Sequence, residues 1–128
     1  MATLSDTQKA FLRGKNFAVV ATLGEDGSPQ STVVWVDTDG ENVVFNTKRG
    51  RAKVEHLERD PRVSVTVIDS ENPYSFLEVQ GVASFDDEGA NEHINMLANK
   101  YRGSDFTDFE GRVIVRVTPD RVLTYNLD

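Results

Sequence analysis

The residues best suited to chemistry lie in one block, Asn46-Thr47-Lys48-Arg49-Gly50-Arg51-Ala52-Lys53. It sets amide, hydroxyl, guanidinium and ammonium donors around what reads as a strand end and a helix start, where free backbone N–H groups already favour an anion. Arg grips phosphate oxygens in a bidentate fork and Lys adds a point charge, each charge-assisted contact being worth about 1.5–3 kcal/mol. The block has the composition of a phosphate site. A solvated basic face has the same composition, and residue types alone do not separate the two. Other catalytic grammar is missing: there is no Gly-x-x-x-x-Gly-Lys loop, no Gly-x-Gly-x-x-Gly turn and no Gly-x-Ser-x-Gly elbow. His56 and His93 are far apart in a chain without cysteine, so no zinc set is expected and each reads as a surface or helix-face residue. With no acid, base or nucleophile arrangement, any redox chemistry would be carried by a bound cofactor that the protein holds and orients.

Charge supports a small anion as ligand. The chain carries a formal net charge of -7, which disfavours nucleic acid as a partner. Against that background Lys48, Arg49, Arg51, Lys53, Arg59 and Arg62 outnumber Glu55, Glu58 and Asp60, a local excess that suits one small anion better than a polyanion. A chain of 128 residues fits one domain, 1–128, and folds without disulfides or structural metal, consistent with its lack of cysteine. No basic flank and apolar stretch opens the sequence, and its apolar runs fall far short of the roughly 20 residues that cross a bilayer. The expectation is a soluble, cytoplasmic protein with no membrane partner.

The positioning elements follow from periodicity and punctuation. Ser5 and Gln8 have capping-box spacing before Ala10, Phe11 and Leu12, and Gly14 ends the segment. Phe17 to Leu23 reads as a strand, the 24–29 segment as a turn, and Ser31 to Asp37 as a second strand. Asp39-Gly40 predicts a two-residue hairpin turn into Asn42–Thr47. Ala52, Val54 and Leu57 predict a short helix that Asp60-Pro61 stops. Strands are predicted from Arg62 and over Phe76–Phe85, where Gly81 marks a bulge or a close approach of another backbone or ring. Asp86-Asp87-Glu88 reads as the acidic start of a helix over 87–101, ended by Gly103. Val113, Val115 and Val117 lie on a further strand, and Thr118-Pro119-Asp120 reads as a turn into a last strand, Arg121–Tyr125. Antiparallel strands dominating an α-poor chain favour a barrel or a sandwich.

The run Phe17-Ala18-Val19-Val20-Ala21-Thr22-Leu23, the turn through Asp26-Gly27-Ser28-Pro29-Gln30, the stretch Val33-Val34-Trp35-Val36 and the Asn46–Val65 block resemble the pyridoxamine 5'-phosphate oxidase-like split-barrel family. Arg51-Ala52-Lys53 with Leu57 and Arg59-Asp60-Pro61-Arg62-Val63 resembles its branch that uses the deazaflavin coenzyme F420. Asn72-Pro73-Tyr74, Glu78–Ala83 and Lys100-Tyr101 also fit that branch. The resemblance implies a mainly β, six-stranded antiparallel split barrel and a homodimer with cofactor sites at its interface. It implies that Asn46, Thr47, Arg51, Ala52 and Lys53 hold the cofactor phosphate with His56 beside it. The backbone of Thr32, Val33, Val34 and Trp35 would run along the ring, and Tyr74 would line the substrate side. Family members that use flavin mononucleotide (FMN) usually carry a basic residue on the second strand, and Ser31–Val36 has none. The implied activity is hydride transfer from F420 to an activated double bond of a small conjugated substrate; an FMN reductase or oxidase and a non-catalytic cofactor carrier are the alternatives.

Overall fold

Ser5 opens the first helix through the reciprocal bonds its spacing predicts: its hydroxyl accepts from the Gln8 N–H at 3.1 Å, and the Gln8 side-chain oxygen accepts from the Ser5 N–H at 2.8 Å. That helix, α1 (Asp6–Arg13), buries Leu12 and ends at Gly14. In the computed structural model, which describes residues 2–127, four strands follow: β1 (Phe17–Leu23), β2 (Pro29–Val34), β3 (Val36–Thr38) and β4 (Val43–Lys48). Then come α2 (Ala52–Arg59), β5 (Arg62–Ile68), β6 (Phe76–Asp86), α3 (Ala90–Arg102) and β7 (Arg112–Tyr125).

All strand pairs are antiparallel, in the order β2-β1-β5-β6-β7-β4-β3. The two edge strands, β2 and β3, are consecutive in the chain and separated only by Trp35, so the sheet must curl until its edges meet. This is the mainly β split barrel read from the sequence, with its second strand broken in two and six strands thereby becoming seven. The break has a cause in α3. The Val36 N–H donates to the Tyr101 hydroxyl at 3.3 Å, and the Val36 carbonyl accepts from the Lys100 ammonium at 2.6 Å. The Trp35 ring stacks on Tyr101, centroids 5.6 Å apart.

Alternation fills the interior. Ala18 and Val20, Val63, Val65 and Val67, Leu77 and Val79, and Val115 and Val117 form one core, which Leu12 and Leu57 join from the helices. α3 covers the opposite side of β4 and β7, where Val44, Ala90 and Ile114 meet, so β4 is buried on both faces.

Three local expectations are corrected. Thr38 pairs with Val43, so the Asp39-Gly40 connection is a four-residue loop, not a two-residue turn; the Asp39 carboxylate accepts from the Glu41 and Asn42 N–H groups and stabilises the longer form. Thr118-Pro119-Asp120 is no turn, because β7 runs through it opposite β6, absorbing one extra residue as a bulge against Gly81. Asp86 ends β6, and the helix starts only at Ala90, after Gly89 at φ 79°. The carboxylates of Asp86 and Asp87 are taken by Arg116 and Arg49. No helix among the described residues is long and apolar enough to cross a membrane.

Candidate functional site

Past the Val36–Phe45 pair, β4 continues through Asn46, Thr47 and Lys48 paired only with β7, while β2 pairs only with β1. Two strand edges therefore diverge with outward backbone groups outside any ladder, and here the barrel is split. Thr32, Val33, Val34 and Trp35 lie along one lip, Asn46 and Thr47 along the other. After the turn at Gly50, α2 buries Val54 and Leu57, and Leu57 joins the barrel core. His56 Nδ1 lies 2.8 Å from the Thr22 hydroxyl, tying the helix to β1.

Pairing sorts the basic block. The Lys48 ammonium sits 3.0 Å from Asp108, Arg49 forks onto Asp87 at 2.8 and 3.1 Å, and Arg62 forks onto Asp60 at 3.0 and 2.7 Å. Arg51 and Lys53, at the helix start, have no ion-pair partner among the described residues. Lys53 is nonetheless buried, 8% exposed, and burial first and the Arg51 charge second push its pKa down. No side chain caps α2, and the amides of Ala52 and Lys53 find no acceptor among the described residues. The buried Thr47 hydroxyl has no hydrogen-bond partner among the described residues. Uncapped amides, an orphaned hydroxyl and two unneutralised cations at one strand–helix junction form a cradle for an oxyanion, and a phosphate group fits it.

Two predicted residues stand apart. Asn46 neighbours Thr47 in β4 and therefore points to the opposite face, under α3. Its amide donates to the Ala90 carbonyl at 2.9 Å and lies 3.1 Å from His93 Nδ1. Tyr74 is 75% exposed in the β5–β6 loop, and β5, roughly 20 Å long at 3.3 Å per residue, separates that loop from the end of α2.

The family model described as pyridoxamine 5'-phosphate oxidase matches residues 4–126. The chain belongs to the pyridoxamine 5'-phosphate oxidase family. Among solved structures it is similar to an F420 reductase, with 28% identity, a TM-score of 0.83, and 94% of this chain and 98% of that one covered. A conserved hypothetical protein of Mycobacterium tuberculosis matches at 26% identity and TM-score 0.78, covering 95% and 84% of the two chains. General Stress Protein 26 of Bacillus anthracis shares the fold at 21% identity and TM-score 0.71, over 93% and 91%.

For this family member the basic corner holds one residue that sequence reasoning missed. Arg112 pairs across the ladder with Lys48, is buried, and stacks its guanidinium 4.7 Å from the Phe106 ring centroid. Its pKa is depressed by burial; Asp108, whose carboxylate lies 3.7 Å away, opposes that shift and the nearby Arg51 charge adds to it. Only the β4–β7 register brings it there, and no local signal marks it.

His93 lies on a helix face, as its sequence suggested, but that face of α3 turns toward β4 and leaves the ring half-buried. Since its Nδ1 accepts from Asn46, its proton sits on Nε2, which is buried without a partner among the described residues. Burial pushes its pKa to about 4; Asp37 opposes that shift and Arg116 adds to it. A histidine held neutral in the fold stabilises the protein fully above its unfolded pKa near 6.5, and the contribution is lost as pH falls toward 4. Melting temperature is expected to drop over that window, and His93→Gln is expected to flatten the drop. Parallel pH profiles for parent and variant would contradict the assignment.

Proposed function

We propose that this protein is an oxidoreductase that binds coenzyme F420 and reduces an activated double bond of a small conjugated substrate. The observation that carries the reading is the sorting of the basic block: of its helix-start cations, Arg51 and Lys53 have no carboxylate partner among the described residues, and they lie beside uncapped amides and the orphaned Thr47 hydroxyl. In this reading Thr47, Arg51, Lys53 and the Ala52 amide hold the phosphate, and His56 braces α2 against β1. The lip from Thr32 to Trp35 presents the edge-strand backbone to the ring. When bound, the reduced coenzyme supplies a hydride, and a proton completes the reduction. The chain's own contribution is to bind, orient and exclude water, which requires no nucleophile. The similarity to an F420 reductase and the absence of a basic residue in Ser31–Val36 support deazaflavin over FMN.

Fluorescence titration with oxidised F420 and with FMN, side by side, tests this. Micromolar or tighter F420 binding with weaker FMN binding is expected. The reverse preference would move the function to an FMN enzyme. Tight F420 binding with no reduction of any enone would favour a carrier.

The reading includes a homodimer with a cofactor site at each end of the interface. Its support is an apolar row on the outer sheet face: Phe17 pairs with Ile68, Ile68 with Phe76, and Phe76 with Tyr125. Phe17 is 61% exposed, Tyr125 62% and, one strand over, Val33 71%, large apolar side chains that a partner on this face would cover. Phe17→Glu is expected to turn a dimer at micromolar concentration into a monomer by light scattering, and to lose F420 binding with it. A parent that is already monomeric would overturn the dimer.

A further inference from the structure

A groove of about 470 Å³, within the usual range for small-molecule sites, opens on the outer sheet face near the β1–β2 turn. Ala21 and Leu23 supply apolar surface. Polar groups converge from successive strands: Ser64 pairs across the ladder with both Ala21 and Gln80, and Gln80 pairs with Arg121.

Arg121 faces this groove because of the bulge. Up to Val117 the odd-numbered residues of β7 point into the core, so an unbroken strand would turn Arg121 inward. Gly81 pairs with Pro119 and Gln80 with Arg121, which leaves Asp120 as the extra residue and inverts the alternation beyond it. Val122 then packs on the core, and Arg121 comes out beside Gln80.

Commitments elsewhere single out two groups. Arg62 is forked onto Asp60, and the Ser64 hydroxyl donates to Glu78 at 3.2 Å. Asp120 borders the groove without an ion pair to either arginine. The side chains of Gln80 and Arg121 have no hydrogen-bond or ion-pair partner among the described residues. Thr22 also borders the groove, and its buried hydroxyl, on the inward side of β1, lies 2.8 Å from His56 of α2, so β1 stands between the groove and that helix.

We propose that this groove binds the acceptor, a small flat molecule with a carboxylate conjugated to its double bond, and that Arg121 with Gln80 grips the carboxylate. That the ligand is the acceptor rests on the oxidoreductase reading; that the groove binds such an acid does not. The probes are trans-cinnamate and its neutral amide, cinnamamide, titrated into the protein without cofactor and followed by ¹H–¹⁵N NMR. Cinnamate is expected to shift the amides of Leu23, Ser64, Gln80 and Arg121 saturably. Arg121→Ala, an exposed change, is expected to weaken cinnamate about ten-fold or more while leaving cinnamamide within about two-fold. Shifts absent from the groove, shifts centred on Lys53 instead, or equal losses for both probes would overturn it. F420 titration of the same variant separates the two ideas. Cinnamate in the groove of a protein that ignores F420 would sink the cofactor reading alone; F420 binding with an empty groove would sink this proposal alone.

Discussion

Lys53→Met is expected to bind F420 about ten-fold or more weakly than the parent, and yet to melt at a higher temperature. The binding loss follows from removing one charge-assisted contact to a phosphate. The gain in stability follows from the environment of the ammonium. Lys53 is buried with no ion-pair partner among the described residues, and burial and the Arg51 charge both depress its pKa from the ordinary 10.5. A cation whose pKa falls on folding weakens the fold at every pH below its folded value, and the penalty fades as pH climbs through that value toward 10.5. At neutral pH the penalty is complete, so an unbranched apolar side chain of similar length relieves it. The advantage of Lys53→Met should therefore be present at pH 7 and shrink in alkali. A lysine kept merely for packing predicts the opposite pair of results, unchanged affinity and a lower Tm. Lys53→Arg, which keeps the charge, is expected to retain most of the affinity. Calorimetry and fluorescence titration on the three proteins decide between the two.

The same residue shows what was legible in the sequence. Composition placed donors around a helix start, but could not tell a phosphate cradle from a solvated basic face. The distinction lies in Asp87 and Asp108, which neutralise Arg49 and Lys48 from segments distant in the chain and leave Arg51 and Lys53 alone. The separation of Asn46 from Thr47 was within reach, since neighbours on a strand face opposite ways, although which face α3 would cover was not. Helix ends carried by local chemistry, Ser5 with Gln8, Asp60 before Pro61 and Gly103, were read correctly from residue type. The break at Trp35 was hidden because Lys100 and Tyr101, from α3, supply the partners that replace the ladder. Thr118-Pro119-Asp120 has genuine turn chemistry, and only the glycine opposite lets a strand pass through it.

That glycine carries the largest stability effect. Gly81→Ala is expected to cost more than about 3 kcal/mol, at the upper end of what overpacking costs, because the added methyl would drive into the Thr118 carbonyl oxygen. It would also stand 2.9 Å from the Thr118 carbonyl carbon and 3.1 Å from Val117 Cγ1. The obstruction is backbone in the middle of a fourteen-residue strand, not the end of a flexible side chain, so no rotamer change relieves it. The conformation at Gly81 is not the issue, since its φ is not positive; the space is. Relief requires β6 and β7 to part at the bulge, and the phase inversion that turns Arg121 outward depends on that bulge. Denaturant unfolding should thus show a much lower midpoint for Gly81→Ala, and whatever protein remains folded should also have lost the selectivity for cinnamate over cinnamamide. Loss of stability with selectivity intact would mean that the bulge survives the methyl group and that Arg121 is held outward by something other than the register of β7.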